Sequence, residues 1–268
     1  LPGAAAVEMG HNFSLVHDDI EDNGTERRHR PALWTVWGKA QAINTGDTLF
    51  TLSRMALYRL QDEGFSDARI LRLMRLYDET CLELCEGQFM DIWTSEHDEW
   101  MSVDYYFDMI GRKTAALIAG SAEAGAVLAT EDEAVISAYR GFGWALGLAF
   151  QLNDDLLGIW GDQAQTGKET SDIATRKKTL PLIYALAEAT GHDRQRLQAV
   201  LAQSDSELAA DEVSEVLAIL DRVGAQDYTR ERARQYRDEA IAQLESVGTV
   251  DRASMERLTD VVRGVISA

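Results

Sequence analysis

Residues 150–160 read Phe150-Gln151-Leu152-Asn153-Asp154-Asp155-Leu156-Leu157-Gly158-Ile159-Trp160. Two adjacent carboxylates stand in the middle of a strongly apolar stretch. Charges among apolar side chains are costly unless a metal or a cation pairs with them. Asp154-Asp155 is therefore a functional signal rather than a solvated surface. The stretch closes a longer segment, residues 131–160, which is unusually apolar after Tyr139. That is the pattern of a helix buried on most of its sides.

Outward from this segment the chain reads as helix almost throughout. Only three prolines occur, Pro2, Pro31 and Pro181, and so few breakers over 268 residues favour long helices. Apolar residues recur at three- and four-residue spacing over residues 4–22, 33–60, 67–94 and 103–129. Shorter amphipathic segments follow at residues 193–203, 207–223, 227–246 and 251–267. Residues 179–189 resume a helix, with Pro181 tolerated in its first turn. Residues 161–178 and 204–211 read as polar loops. There is no strand-like alternation and no convincing linker. The expected fold class is all-α, as a single domain over residues 1–268.

A second acidic group lies near the start: His17-Asp18-Asp19-Ile20-Glu21-Asp22, followed by Arg27-Arg28-His29-Arg30-Pro31. Asp18 and Asp22 are i and i+4, so they share a helix face. Asp19 is offset by one residue, within reach of a neighbouring ion. The cluster sits at the C-terminal end of its helix, where the dipole disfavours negative charge. It also follows apolar Phe13-Ser14-Leu15-Val16. Carboxylates one turn apart make a hard, oxygen-rich face suited to Mg²⁺. The arginines beyond them suit bidentate contact with phosphate oxygens. Lys168 and Arg176-Lys177-Lys178 stand in the same relation to Asp154-Asp155. Two such units suggest one pocket closing from two sides over a diphosphate ester, with Asp18 and Asp154 facing each other across its mouth. Weaker signals are Gly87-Gln88-Phe89-Met90-Asp91 and Lys113-Thr114, for which a polar helix face is the default.

Composition sets the outer limits. The net charge is −19 and 46% of residues are hydrophobic. Such acidity argues against general nucleic-acid binding, which needs a basic face. No stretch is long and apolar enough to span a bilayer. Cys81 and Cys85, four apart in a helical pattern, read as buried small hydrophobes and reduced thiols of a cytoplasmic protein.

In order and spacing these motifs resemble the trans-isoprenyl diphosphate synthase (polyprenyl synthetase) family. The family's DDxxD and RRGxP are similar to residues 18–22 and 27–31. Its GQxxD resembles residues 87–91, its KT pair Lys113-Thr114, and its FQxxDD residues 150–155. Its two late lysines match Lys168 and Lys177, and its histidine upstream of the first aspartate matches His11. The resemblance covers most of residues 4–190. It departs at three places: Gly158 replaces the last carboxylate of the second motif, His29 replaces a glycine, and the upstream GGKxxR is missing. That last absence fits a chain whose first residue lies inside the family's pattern, or a divergent member.

The resemblance implies an isoprenoid-synthase-type helical bundle around a deep central cavity. It implies a prenyltransferase that condenses an allylic diphosphate with isopentenyl diphosphate to a short all-trans product, C20 first and C15 second. Metal ligands would be Asp18, Asp19, Asp22, Asp91, Asp154 and Asp155, holding three Mg²⁺ per site, with Mn²⁺ able to substitute. Substrate contacts would be His11, Arg27, Arg28, Lys113, Gln151, Lys168 and Lys177. Lys113, Thr114 and Gln151 would steady the carbocation. Phe13, about 7.5 Å of axial rise before Asp18, would floor the cavity, with small Ser14 leaving part of it open. Gly158→Asp would be tolerated as a return to the family pattern. A homodimer is implied, with residues 33–60 and 67–94 as its apolar surface. Two other readings stay open: a terpene cyclase on the same scaffold, and a non-catalytic subunit of a heteromeric synthase.

Overall fold

The computed structural model describes residues 1–97, 100–161, 172–202, 207–247 and 252–265, and these are overwhelmingly helical. Contacts group them into two compact units. One comprises Leu1–Leu82 with Gly120–Asp132, the other Glu83–Ala119 with Glu133–Ala268.

In the first unit α1 (Pro2–Glu21) lies along α3 (Lys39–Tyr58). Ala6, Gly10 and Phe13 recur at helical spacing as the buried stripe of α1. Small residues let the helices approach closely. A Cβ on Gly46 would lie 2.2 Å from the His17 ring, and one on Gly10 would lie 2.4 Å from the Tyr77 hydroxyl. Tyr77 comes from α4 (Asp67–Glu96) and shares a 2.6 Å hydrogen bond with buried Ser53 of α3.

Residues 33–60 do not form one helix. They divide into α2 (Leu33–Trp37) and α3 at Gly38, whose φ of 83° and ψ of 155° are open only to glycine. A small antiparallel hairpin, β1 (Glu26–Arg27) and β2 (Arg30–Pro31), follows α1. It was not legible as alternation because each strand is only two residues long. Its turn residues, Arg28 and His29, both have positive φ, at 52° and 61°. His29 thus takes the left-handed conformation that a glycine would adopt at lower cost.

In the second unit, the segment expected as one helix over residues 103–129 is continuous but not uniform. It runs through α5 (Val103–Ile110), a π turn over Gly111–Ala115, and α6 (Ala116–Ala129), which continues into the first unit. Ser102 caps α5 by accepting from the Tyr105 N–H. The long helix α7 (Glu133–Trp160) is buried along most of its length, as its composition demanded. Gly143 and Gly147 of α7 bring the backbone of residues 119 and 115 so near that a Cβ would meet Ala119 Cα at 2.6 Å and Ala115 Cα at 2.5 Å.

The shorter helices are α8 (Leu180–Glu188), α9 (Gly191–Leu201), α10 (Ala210–Arg222), α11 (Ala225–Ser246) and α12 (Arg252–Val265). One buried cluster joins Ile159, Ile173, Leu182, Leu197, Val216 and Leu220. A second joins Tyr106, Met109, Leu148, Leu152, Leu180 and Ile183. Cys81 is buried as expected, but Cys85 is exposed, because α4 turns that face outward. Among the described residues no helix is long and apolar enough to cross a membrane.

Gly38→Ala tests the split between α2 and α3. Nothing lies within 4 Å of the added Cβ, so the cost is confined to the backbone. It should destabilise the protein by ~1–3 kcal/mol in a denaturant titration.

Candidate active site

In the first unit the candidate residues lie at the end of α1. Ser14, His11, Asp18 and Asp22 recur at three- and four-residue spacing and share one face. Asp18 is partly buried and Asp22 exposed. Asp19 is turned the other way and buried. Arg27 spans the pair: Nε donates to Asp19 Oδ1 at 2.8 Å and Nη2 to Asp18 Oδ2 at 3.0 Å. The Gly24 N–H donates to the Asp19 carbonyl (2.9 Å), and the Trp34 indole donates to the Gly24 carbonyl (2.7 Å). The loop that carries the arginines is thereby tied to the acidic helix end. Asp19, expected as a ligand, is here the anchor of Arg27. Burial pushes the His11 imidazole below its ordinary pKa; the charge of Glu8 opposes this, and those of Arg28 and Arg27 add to it.

Phe13 and Ser14 stand at different angles to Asp18 around α1. A helix turns about 100° per residue, so five residues carry Phe13 about 140° round, whereas Ser14 stays within about 40°. The Phe13 ring packs edge-on against Phe50 of α3 at 5.0 Å between centroids. Ser14 is the residue on the Asp18 face, its hydroxyl donating to the His11 carbonyl at 2.8 Å. Axial rise alone had hidden this difference in angle.

The second unit brings Asp91, Lys113, Thr114, Gln151, Asp154, Asp155 and Lys177 into one network. Lys113 Nζ lies 2.5 Å from Asp91 Oδ2. Thr114 Oγ1 donates to Gln151 Oε1 (2.9 Å), and Gln151 Nε2 donates to Asp155 Oδ1 (3.2 Å). Lys113 and Thr114 stand in the π turn, a feature that recurs at functional sites. The turn fits because Gly87 has no side chain: a Cβ there would lie 2.2 Å from the Lys113 nitrogen.

The two adjacent aspartates have opposite fates. Asp155 is 1% exposed. Its Oδ2 accepts from the Tyr106 hydroxyl and, at 2.9 Å, from the Leu180 N–H. Burial raises its carboxyl to about 6, against the opposing effect of these donors and of Lys177. The Tyr106 hydroxyl is pushed up by burial and by Asp155. Both oxygens of Asp155, expected as a metal ligand, are engaged within the core. Asp154, with 46% of its side chain exposed, keeps its oxygens near the surface, 3.6 Å from Lys177 Nζ. Lys168 lies outside the described residues.

These donors fit Mg²⁺ by chemistry. Among the described residues no three His, Cys, Asp or Glu side chains converge into a cage. Mg²⁺ does not demand one: it binds through one or two carboxylates and completes its octahedron with water and phosphate oxygens. Asp18 with Asp22, Asp91 and Asp154 offer such carboxylates, each beside a cation suited to phosphate. A recess of about 460 Å³ lined by Cys85, Glu86, Phe89, Met90, Asp108 and Arg112 contains none of these residues and does not belong to the site. Tyr106, the Leu180 N–H and Asp172 were missed from sequence. Asp172 stood in the polar loop beside the lysines, but nothing in the sequence tied Tyr106 to Asp155, 49 positions away.

A family model for polyprenyl synthetases matches residues 2–220. The (2E,6E)-farnesyl diphosphate synthase of Mycobacterium tuberculosis H37Rv is 36% identical over 99% of this chain and 73% of its own length. The geranylgeranyl diphosphate synthase of the same organism is 39% identical over 96% of this chain and 72% of its own length. The crystal structure of a polyprenyl synthetase from Streptomyces coelicolor A3(2) superposes with a TM-score of 0.90 at 38% identity, covering 99% of this chain and 78% of that one. A chain of this helical fold, with paired aspartate motifs and attendant cations, is an isoprenoid-synthase-type protein. It belongs to the polyprenyl synthetase family.

The opposite fates of the aspartates can be measured. Asp155→Ala leaves the Tyr106 hydroxyl and the Leu180 N–H without their acceptor and should cost about 2–5 kcal/mol in urea unfolding. Asp154→Ala, at a half-exposed carboxylate, should shift stability by less than about 0.5 kcal/mol.

Proposed function

We propose that this chain is a short-chain trans-prenyl diphosphate synthase, condensing an allylic diphosphate with isopentenyl diphosphate. The observation that carries this conclusion is the pairing of each carboxylate set with a held cation. Arg27 spans Asp18 and Asp19, Lys113 meets Asp91, and Lys177 stands beside Asp154. Carboxylates and cations interleaved in this way suit a metal–diphosphate complex.

Asp18, Asp22, Asp91 and Asp154 would hold Mg²⁺, three ions per site with Mn²⁺ as a substitute. When bound, the metal supplies the Lewis acid that makes diphosphate a leaving group. Arg27, Lys113, Lys168 and Lys177 neutralise the diphosphate oxygens. His11 and Arg28 hold isopentenyl diphosphate, whose double bond attacks the allylic carbocation. Gln151, fixed at both ends by Thr114 and Asp155, presents an oriented amide dipole to that cation, and Thr114 and Lys113 add theirs. The departing diphosphate accepts the proton, so no side-chain base is required.

Phe13 floors the tail site, and small Ser14 beside it on the Asp18 face leaves part of its depth open. This arrangement favours C20, then C15. A homodimer accords with two apolar faces: Ile43, Leu52, Met55 and Tyr58 are exposed on α3, and Leu71, Leu82, Phe89 and Trp93 on α4. The working compartment is the cytoplasm, as the thiol usage suggests.

Incubation with labelled isopentenyl diphosphate, Mg²⁺ and dimethylallyl, geranyl or farnesyl diphosphate should yield an elongated C20 product on chromatography. A cyclised hydrocarbon formed without isopentenyl diphosphate would indicate a terpene cyclase, and no turnover with any of them a non-catalytic subunit. Asp18→Ala and Asp154→Ala should each lower kcat/KM by about a hundredfold or more. Ser14→Phe should shift the product one isoprene unit shorter. For the dimer, Leu82→Asp should halve the mass measured by light scattering at micromolar concentration.

A further inference from the structure

The π turn that carries Lys113 and Thr114 rests on α4 at one point, Gly87, where a Cβ would lie 2.2 Å from the Lys113 nitrogen. Contact at a single point leaves a turn free to pivot. Here an ionic tie stands on either side of that point. On the site side, Lys113 Nζ lies 2.5 Å from Asp91 Oδ2. Arg112, one residue earlier, reaches the other way, into the wall of the recess behind the site. Its Nη1 donates to Glu86 Oε2, and its Nε donates to Asp108 Oδ1 at 2.9 Å. Glu86 directly precedes Gly87 on α4, and Asp108 stands on the last turn of α5. One planar guanidinium therefore joins α4, α5 and the π turn through donors of fixed geometry. Glu86 and Asp91 are five residues apart, about 140° round α4 and about 7.5 Å along it. The two ties thus pull on the turn from different directions, and with the Gly87 contact they fix its rotation. The recess, lined also by Cys85, Phe89 and Met90, means that packing does not replace the clip on that side.

We propose that Arg112 is a positioning residue, the outer half of a two-sided clip that aims Lys113 and Thr114 into the site. It acts through those two residues and makes no contact with substrate itself. The inference deepens the synthase assignment and rests on it for the use of Lys113 on the diphosphate and of Thr114 on Gln151. Without the guanidinium, Glu86 and Asp108 face each other as like charges across the start of the turn. The turn then pivots on Gly87, and the Lys113 ammonium and the Thr114 hydroxyl lose their alignment together. A displacement of about 1 Å in such groups costs about a hundredfold in rate.

The test is a set of variants at 112 and 86, read by calorimetric titration with inorganic diphosphate in the presence of Mg²⁺. Arg112→Met keeps the stem and removes the fork. It should weaken diphosphate binding about fivefold, part of the strength of one charge-assisted contact. Its kcat should fall about tenfold or more. Its KM for isopentenyl diphosphate, assigned to His11 and Arg28, should stay within about twofold. Exposed ion pairs add little to global stability, so the melting temperature should move by less than about 4 °C. Arg112→Lys, a point charge that meets one carboxylate at a time, should recover part of the loss. Arg112→Glu should bind most weakly. The double variant Glu86→Lys/Arg112→Glu re-forms the tie with its signs exchanged and should return to within about threefold of the unaltered protein. The proposal is overturned if Arg112→Met binds diphosphate like the unaltered protein, or if the double variant binds no better than Arg112→Glu. Because the probe is inorganic diphosphate, this outcome is separate from prenyl transfer. A chain that elongated no allylic substrate would sink the synthase assignment and leave the clip readable.

Discussion

A carboxylate sealed in a protein core must be met by donors from several directions, and Asp155 meets this demand with three. Tyr106 reaches it from α5, Gln151 from one turn earlier on α7, and the Leu180 N–H from the first turn of α8. An unpaired charge there would cost several kcal/mol, so the three elements have little freedom to move apart. The same bonds orient the Gln151 amide and, through it, the Thr114 hydroxyl. They also leave neighbouring Asp154 as the outward-facing member of the pair. The side chains around Asp154 are therefore arranged by a buried carboxylate.

The π turn at Gly111–Ala115 answers a second demand, that Lys113 and Thr114, adjacent in sequence, each reach a different partner. Lys113 pairs with Asp91 and Thr114 with Gln151. A widened turn needs space for its backbone, and Gly87 leaves it. On α1 the corresponding demand is simpler. The i, i+4 spacing of Asp18 and Asp22 suffices, and Arg27 is held beside Asp18 through Asp19.

Much of this was legible in the sequence, for identifiable reasons. Helices announced themselves through apolar periodicity, and α7 through a near-continuous apolar run. The acidic pair stood out because its neighbours were Leu152, Leu156 and Leu157. Local pattern could not say which of the two carboxylates would be buried, since that depends on Tyr106 and Leu180, both remote in the chain. The break at Gly38 was hidden by apolar residues on both sides that keep helical spacing across it.

The glycine contacts of α7 have a kinematic consequence. Gly143 and Gly147 act as notches that receive the backbone at Ala119 and Ala115. Notched helices cannot shear past one another, because even one residue of travel would drive a side chain into the opposing main chain. Packed helices without such notches commonly adapt to ligands by small sliding movements. In this unit that mode is closed. Lys113, Thr114, Gln151 and Asp154 consequently travel as one piece, and any accommodation must come from rotation about their ends or from the loops that join them.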